Sequence, residues 1–409
     1  MDVLHRTSAG LDVHQAQITA CIRITPKAAV PHAHSKVFAT TPTGLTALRD
    51  WLLHWKTTHV AMEGTGVYWL PIYTVLEAAG LDLTLCNAYH VKNVPGRKTD
   101  QSDAAWLAQL MAAGLLRKSF VPPMAIRELR ELTRARVHRV EDRGRVVNTI
   151  HRQLERCGIK LCSILSDLQG KTGRAVLDAL VRGDASPDAM SELAKGTVRT
   201  KRAQLAEVLT VPLTATARLL LGQHLEQLRQ LDAQITALDT AINVQVAPYQ
   251  AAIEHLRTLP GIEKVAAAAI LAEIGPDMSA FTDGDALAAW AGLTPGQHES
   301  AGKRKAIGTR HGNRYLRRIL VQVAMNIGRQ RADHDLKTFF RKKLIRGYKK
   351  AAVATAHKIL VRIWRMLHSD ADYAPPKPVT ASQRAKQTKR LIERLRALGQ
   401  EVTLHPIAA

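Results

Sequence analysis

The chain has 409 residues, which is too long for one ordinary domain and favours two or three. Hydrophobic residues make up 46% of it but aromatic residues only 4%, so its cores must consist mainly of Ala, Leu, Val and Ile, a mixture that favours helices over large β-sandwiches. Lys and Arg number 58 against 35 Asp and Glu, and the formal charge of +23 indicates a polyanionic partner, most commonly nucleic acid.

An anionic membrane is the rival partner for so basic a chain. The sequence has no run of about 18 apolar residues and no signal-peptide layout, so we expect a cytoplasmic protein without a membrane partner. The cysteines lack the spacing of a zinc site and are expected to be reduced: Cys21, Cys86, Cys157 and Cys162.

Residues 1–123 alternate between strand and helix patterns. Residues 8–25 form two β-rich runs around a polar turn at residues 15–17, and residues 36–40 are a third candidate strand. The next elements are predicted in the order helix, strand, helix, strand, helix: residues 44–55, 59–62, 67–79, 81–86 and a helix that includes 103–110. This is the order of elements in an RNase H-like domain, an α/β fold with a mixed sheet.

Residues 124–250 are predicted to form a helical linker. Its first part, residues 124–157, carries nine arginines and five acidic residues between Arg127 and Arg156. The expected apolar stripe of this helix is Leu129, Leu132, Val140, Val147, Ile150 and Leu154. A heptad seam follows within residues 223–244, at Leu228, Leu231, Ile235, Leu238 and Ile242. Two interpretations stay open: a coiled coil that joins two subunits, or a hairpin with the first helix in the same chain.

Residues 251–373 are predicted to be a second, mostly helical domain, with helices over 316–331 and 336–367, and residues 374–409 a basic extension with a helix over 382–398. Near the start of the helical domain, Gly261 lies in an LPGI turn that precedes an apolar helix at residues 265–274. This turn and helix together are similar to a helix-hairpin-helix. Such a turn presents backbone N–H groups to phosphate oxygens, although a plain helix connector has the same pattern.

Four carboxylates stand where α/β folds gather functional groups. Asp12 lies on the first strand, Glu63 ends the strand HVAME, and Asp100 and Asp103 stand three apart at a helix start. Carboxylate oxygens suit Mg²⁺, and two such ions can stabilise the attacking and leaving oxygens of a phosphoryl transfer. Taken singly, Asp100 is also a candidate helix N-cap, Asp12 a turn residue and Glu63 a solvated strand end.

The segment HESAGKRKAIGTRHGNRYLRR, residues 298–318, places Ser300 among glycines and cations. Glycine permits close backbone approach and cations neutralise phosphate, so a nucleic-acid contact is predicted, with a solvated basic loop as the alternative. The candidate contacts are Gly261, Gly302, Lys303, Arg304, Lys305, Gly308, Arg310, Gly312, Asn313, Arg314 and Arg317. A Ser-His-Asp triad is disfavoured, because His298 lies only two residues from the serine and no orienting Asp is near.

Together, GLDVHQ, AMEGTGVYW, KTDQSDAAWLAQL, LPGI and the serine segment resemble the DEDD transposases of the IS110 insertion-sequence family over residues 10 to 330. The resemblance implies a RuvC-like RNase H fold, a coiled-coil linker and a helical transposase domain. It assigns a Mg²⁺-binding tetrad to Asp12, Glu63, Asp100 and Asp103, with two ions expected per site, and the nucleophile to Ser300.

The resemblance also implies partners that composition and spacing do not reveal. Members of the family are DNA recombinases guided by a structured bridge RNA that pairs with donor and target double-stranded DNA. A homodimer or homotetramer in a prokaryotic, nucleoid-associated setting is expected, with the metal and the serine supplied by different subunits.

Two other classes of function stay open. A metal-dependent Holliday-junction resolvase or nuclease would use the tetrad to activate water and would release free DNA ends. A non-catalytic nucleic-acid-binding protein would need only the charge.

Overall fold

The computed structural model describes residues 3–26, 30–64, 66–87, 90–91, 94, 102–296, 299–300, 303–304, 308–375 and 381–403. The chain divides into two compact units, Met1–Arg127 and Glu128–Ala409. The finer division into four domains stays a prediction.

The first unit is built on a mixed five-stranded sheet. Its strands are β1 (Thr7–Val13), β2 (Gln17–Ile24), β3 (His32–Ala39), β4 (His59–Glu63) and β5 (Asp82–Cys86), in the spatial order β3-β2-β1-β4-β5. β1, β2 and β3 are antiparallel, whereas β4 and β5 run parallel to β1. The predicted succession of strands and helices in an α/β unit is confirmed, although β3 begins before the predicted residue 36.

Helices cover both faces of this sheet. On one face, α1 (Pro42–His54) and α2 (Trp69–Ala78) pack on the core that contains Leu11, Val60 and Met62. On the other face, α3 (Asp103–Ala112) packs against β1, β2 and β4. Because helices cover both faces, β1 is buried at nearly every position rather than at alternate positions.

Local sequence explains where α1 lies. Thr41 is its N-cap, and the Thr41 hydroxyl accepts a hydrogen bond of 3.2 Å from the backbone N–H of Gly44. Pro42, which lacks an N–H, occupies the first turn, where helix N–H groups have no partner within the helix. The buried Leu45, Leu48 and Leu52 recur at helical spacing and attach this helix to the sheet.

A long helical hairpin dominates the next part of the chain. It consists of α4 (Met124–Arg156) and α8 (Ala215–Val246), which share a hydrophobic cluster that includes Ile150 and Leu228. Three shorter helices lie between them in the chain: α5 (Lys171–Arg182), α6 (Pro187–Ser191) and α7 (Arg202–Val208).

Ion pairs fix the direction of the hairpin. Arg136 binds Asp239 and Arg143 binds Asp232, each at 2.5 Å, so the two long helices run antiparallel. The structure therefore contains the intramolecular hairpin, and a coiled coil between two subunits stays a prediction. The predicted apolar stripe is wrong at Val140, which is exposed, and Val146 is buried instead.

The described part of the second unit contains seven further α-helices: α9 (Gln250–Arg257), α10 (Lys264–Ile274), α11 (Gly284–Trp290), α12 (Arg314–Arg329), α13 (Asp335–Lys343), α14 (Tyr348–Ser369) and α15 (Ala381–Arg396). The single helix predicted over 336–367 is wrong, because Gly347 adopts a φ of 94° and separates α13 from α14. Across the described ranges, no helix is both long and apolar enough to cross a bilayer.

Candidate functional site

Strand register places two of the four predicted carboxylates side by side. Leu11 of β1 pairs with Met62 of the parallel strand β4, so the next residues at the strand ends, Asp12 and Glu63, are neighbours on the same sheet face. Glu63 in turn pairs with Cys86 of β5. This row of residues lies on the face that α3 covers.

Gly10 explains how α3 comes so near. A Cβ atom on Gly10 would lie 2.1 Å from the carbonyl oxygen of Ala104, so only glycine permits this approach of helix to strand. Asp103 is the first residue of the same helix and directly precedes Ala104. The contact therefore brings the start of α3, and Asp103 with it, to the face that bears Asp12 and Glu63.

The helix start corrects one alternative for Asp100. The N-cap of α3 is Ser102, whose hydroxyl accepts a hydrogen bond of 3.3 Å from the backbone N–H of Ala105. Asp100, the fourth predicted ligand, lies outside the described residues.

The donor set suits a hard cation, because carboxylate oxygens are the usual protein ligands of Mg²⁺. Within the described ranges, however, no three His, Cys, Asp or Glu side chains are grouped closely enough to hold a metal ion. The Asp12 carboxylate instead lies within hydrogen-bonding distance of His14, 3.2 Å from its Nε2 atom. Asp12 and Glu63 thus lie side by side on one sheet face, and Asp103 begins the helix that covers this face.

The thiol beside Glu63 lies in a dry environment. Burial, with a smaller contribution from the Glu63 carboxylate, raises the pKa of Cys86 to about 12. Cys86 is therefore a neutral thiol at physiological pH, which agrees with its prediction as a reduced, buried residue.

Ser300 lies on a short β-hairpin. Strand β6 (Glu299–Ser300) pairs antiparallel with β7 (Lys303–Arg304), and Ser300 is opposite Lys303. Two residues, Ala301 and Gly302, join these strands, and they lie outside the described residues together with Lys305. Ser300 thus lies in a paired strand, at the end of β6 that adjoins the connection to β7.

Towards its base the same segment pairs again. Pro295 and Thr309 form a bridge, and the N–H of Gly296 donates to the carbonyl of Gly308 at 2.9 Å. At the base itself, a Cβ on Gly312 would lie 2.3 Å from the nitrogen of Gly292. Gly312, predicted to approach phosphate, is thus needed for a close contact between two backbones.

A buried carboxylate holds the residue that follows this base. Glu273 of α10, whose side chain is 2% exposed, accepts two hydrogen bonds of 2.8 Å from Arg134. The amide nitrogen of Asn313 donates to the same carboxylate at 2.6 Å, and Arg130 lies 3.4 Å from it. This network joins α4, α10 and the start of α12.

Asn313 is occupied at both ends of its amide. Its oxygen accepts from the backbone N–H groups of Tyr315 and Leu316 and so caps α12, while its nitrogen binds Glu273. Sequence reasoning placed Asn313 among the nucleic-acid contacts and missed Glu273, Arg130 and Arg134. The available signal was a single carboxylate inside the apolar run VAAAAILAEI.

Tyr315, on the first turn of α12, lies among cations. The guanidinium carbon of Arg134 is 4.4 Å from its ring centroid and that of Arg314 is 4.9 Å away. Arg314 also donates to the Tyr315 hydroxyl at 2.9 Å. The aromatic ring therefore concentrates positive charge where the serine segment enters the helix.

The other predicted contacts differ in their surroundings. Arg310 and Gly308 are exposed, and Arg317 is half-buried on α12. Gly261 adopts a φ of 84° and faces α12, since a Cβ there would lie 3.1 Å from Ile327. The LPGI turn joins α9 to α10, but its assignment as a helix-hairpin-helix stays a prediction.

Two parts of the chain match known protein families: the part with the predicted carboxylates and the part with the serine segment. Residues 9–159 match a transposase model for the DEDD transposases of IS110, and residues 253–341 match the model described as the transposase IS116/IS110/IS902 family. The first match contains all four predicted carboxylates, and the second contains Ser300 and the LPGI turn.

Three curated proteins are similar over most of their length. The "Probable family 20 transposase" of Pseudomonas aeruginosa is 28% identical over 80% of this chain and 89% of its own. The IS900 "uncharacterized 42 kDa protein" of Mycobacterium paratuberculosis is 28% identical, over 78% and 81%. The "Transposase for insertion sequence element IS1111A" of Coxiella burnetii is 24% identical, over 77% and 79%.

Proposed function

Because the chain belongs to the IS110 family of insertion-sequence transposases, we propose that it cuts and rejoins donor and target DNA through a covalent intermediate on Ser300. The observation that carries the proposal is the paired hairpin that bears Ser300, followed after nine intervening residues by the first turns of α12 with Arg314, Arg317 and Arg318. The backbone of Ser300 is therefore held by strand pairing rather than by an unsupported loop.

The chemical step is an exchange of phosphate esters. The Ser300 oxygen bonds to a DNA phosphorus as the bond from that phosphorus to a sugar oxygen breaks, and the serine proton is balanced by protonation of the leaving oxygen. One ester replaces another, so the bond energy is retained for rejoining without a nucleotide cofactor. Lys303 and the arginines of the segment are proposed to counter the charge that develops on the phosphate.

A serine hydroxyl needs activation. Asp12, Glu63, Asp100 and Asp103 are proposed to hold Mg²⁺, which when bound would polarise the phosphate and favour deprotonation of the serine. The row formed by Asp12 and Glu63, with Asp103 on the helix above it, supports this assignment. By family resemblance, we propose that the carboxylates and the serine of one reaction come from different subunits of a homodimer or homotetramer.

The sequence choice of the reaction is proposed to come from a structured bridge RNA. The net charge of +23 supports a chain that neutralises RNA and DNA together. Sequencing the RNA that copurifies with the protein tests this proposal. We expect one RNA species, which pairs with the DNA that flanks the gene. A mixture of unrelated host RNAs would contradict the proposal of a bridge RNA.

The decisive experiment for the function compares Ser300→Ala with Ser369→Ala. Ser369 is exposed and lies in the same unit as Ser300, at the end of α14. With labelled DNA, the wild type and Ser369→Ala should form an adduct stable to denaturant, whereas Ser300→Ala should form none while still binding DNA. An adduct in Ser300→Ala would refute the nucleophile, and free DNA ends without an adduct in the wild type would support a metal-dependent resolvase.

A further inference from the structure

The turn between α13 and α14 displays an apolar side chain at its tip. Ile345, in the three-residue helical turn Leu344–Arg346, is 92% exposed, the highest value among the large apolar side chains of the described residues. Leu344 and Tyr348 beside it are each 41% exposed. Such exposure offers nothing to the folding of this chain, since burial rather than exposure of apolar surface is stabilising.

The base of this turn is well packed. Phe340 of α13 is buried with Ala351 and Ala352 of α14, and its ring meets that of Tyr348 edge-on at 5.5 Å. α12 crosses so closely that a Cβ on Gly328 would lie 2.7 Å from the Phe340 ring. The tip is therefore carried on a rigid support formed by three helices.

The sequence that flanks the tip is rich in cations. Residues 336–369 contain ten Lys and Arg residues and no Asp or Glu. Lys343 is half-buried, whereas four others near the tip in sequence are exposed: Lys342, Arg346, Lys349 and Lys350. Arg341 differs, because it forms an ion pair of 3.2 Å with Asp333.

A groove leads from the tip towards the serine segment. It has a volume of about 430 Å³ and lies between α12 and α14. Arg314, Arg317 and Arg318 line one side of it, and Tyr348 and Lys349 the other. Arg314 directly follows Asn313, the N-cap of α12, so the groove begins where the serine segment enters this helix.

We propose that Ile345, supported by Leu344 and Tyr348, is a wedge that inserts between two base pairs of duplex DNA, while the surrounding cations bind the phosphates on either side. This inference rests on the proposed function, because the inserted side chain would bend the DNA that Ser300 is proposed to attack. An apolar tip among cations matches the chemistry of a base stack between two phosphate strands. A protein partner would instead need a broad, charge-depleted apolar core, which this turn lacks.

Duplex DNA fits this tip better than duplex RNA. Pyrimidine–purine steps of B-form DNA unstack readily, and proteins kink them by inserting single apolar side chains. A-form RNA has a major groove too deep and narrow for side chains to read, and proteins bind its shallow groove mainly through hydroxyls and phosphates.

The test uses the full-length protein with any RNA that it retains, and Ile345→Ser against Val244→Ser. Val244 is another exposed β-branched residue, 70% exposed on α8 and outside the cationic turn. The probes are duplex DNA with 2-aminopurine at successive steps, duplex RNA of the same sequence, and vesicles with anionic lipid. The readouts are 2-aminopurine fluorescence, DNA bend angle by energy transfer, and affinity as a function of salt.

For the wild type and Val244→Ser, we expect a fluorescence rise at one DNA step together with a bend. Ile345→Ser should lose both and bind roughly tenfold more weakly, as expected when one Ile side chain is no longer buried. Its salt dependence should stay unchanged, because no cation is removed. Lys349→Gln with Lys350→Gln should lower the slope of log affinity against log salt by about 2.

Equal unstacking by Ile345→Ser and wild type would overturn the wedge, as would absence of unstacking by the wild type. Equal dependence on Ile345 for duplex RNA or for vesicles would also overturn it. The covalent adduct, measured in the same samples, separates this failure from that of the proposed function. Adduct formation without unstacking removes only the wedge, whereas a wild type without any adduct removes the proposed function.

Discussion

Replacement of Glu273 by Gln tests whether the buried carboxylate holds the start of α12. The substitution keeps the shape of the side chain but removes its charge. It also puts an NH₂ group where one carboxylate oxygen had been, facing donors of Arg134 or Asn313. At least one hydrogen bond must therefore become a contact between two donors.

The magnitude follows from burial and pairing. Breaking a buried ion pair at one partner costs about 3–5 kcal/mol, because the other charge stays desolvated. The side chain of Arg134 is 34% exposed and can regain some hydration, so we expect a loss of about 3 kcal/mol, at the lower end.

Hydrogen exchange followed by mass spectrometry is the appropriate assay, since a chain of two units need not unfold in one step. In Glu273→Gln, the first-turn amides of α12 should exchange about a hundredfold faster than in the wild type. Glu263→Gln is the matched control, since Glu263 directly precedes α10, the helix that carries Glu273, but is exposed. Exchange within about threefold of wild type in Glu273→Gln, or equal acceleration in the control, would refute the role of the network.

Three further predictions concern other parts of the chain. Asp12→Asn should abolish the DNA adduct, whereas Asp82→Asn, at the opposite end of the strands, should retain it; loss in both would show a general effect of sheet charge. Gly10→Ala should unfold the first unit or destabilise it by about 3 kcal/mol or more in a denaturant titration, because its Cβ meets a backbone carbonyl of α3. Gly144→Ala, with open space around it on α4, should be neutral or stabilising by about 0.5–1 kcal/mol, and similar losses in both would contradict this reading. Finally, a hydrogen bond to Asp372 raises the pKa of His255, so the contact between this histidine and the segment 370–372 should be complete below a pH of about 6.5 and be lost as pH rises through the raised value. Limited proteolysis of that segment should therefore increase with pH in the wild type, and the same increase in His255→Ala would disprove the assignment.

The strand arrangement could be predicted because each strand carries its own signal. Asp12 and Glu63 end apolar runs, and the order of elements indicated the α/β arrangement in which they meet. The close approach of α3 was not predictable, since nothing in the local pattern of Gly10 distinguishes a helix contact from a turn.

The helical part was predictable in extent but not in pairing. A heptad seam states which face of α8 is apolar and leaves the partner open. The partner became clear only from cross-helix ion pairs such as Arg143 with Asp232, which depend on residues 89 positions apart. Val140 was misassigned for the same reason, because exposure on a long helix depends on what lies beside each turn.

The Glu273 network escaped prediction because it joins three distant segments. No spacing rule links Arg134, Glu273 and Asn313, and each residue alone has an ordinary reading as a surface charge or a helix cap. Residues at the base of the serine segment are thus harder to find than the proposed nucleophile Ser300, which stands within a dense motif.

The contact between Gly292 and Gly312 has a consequence for how such proteins can diversify. Because the two ends of the segment between them meet, residues can be inserted or removed inside it without moving α11 or α12. Lengthening a loop whose ends are already joined adds little entropic penalty, about 0.6 kcal/mol for each doubling. The length of the segment that carries the serine can therefore change over evolution while the two glycines keep their contact. In a chimaera, the whole segment between Gly292 and Gly312 can be exchanged as one unit.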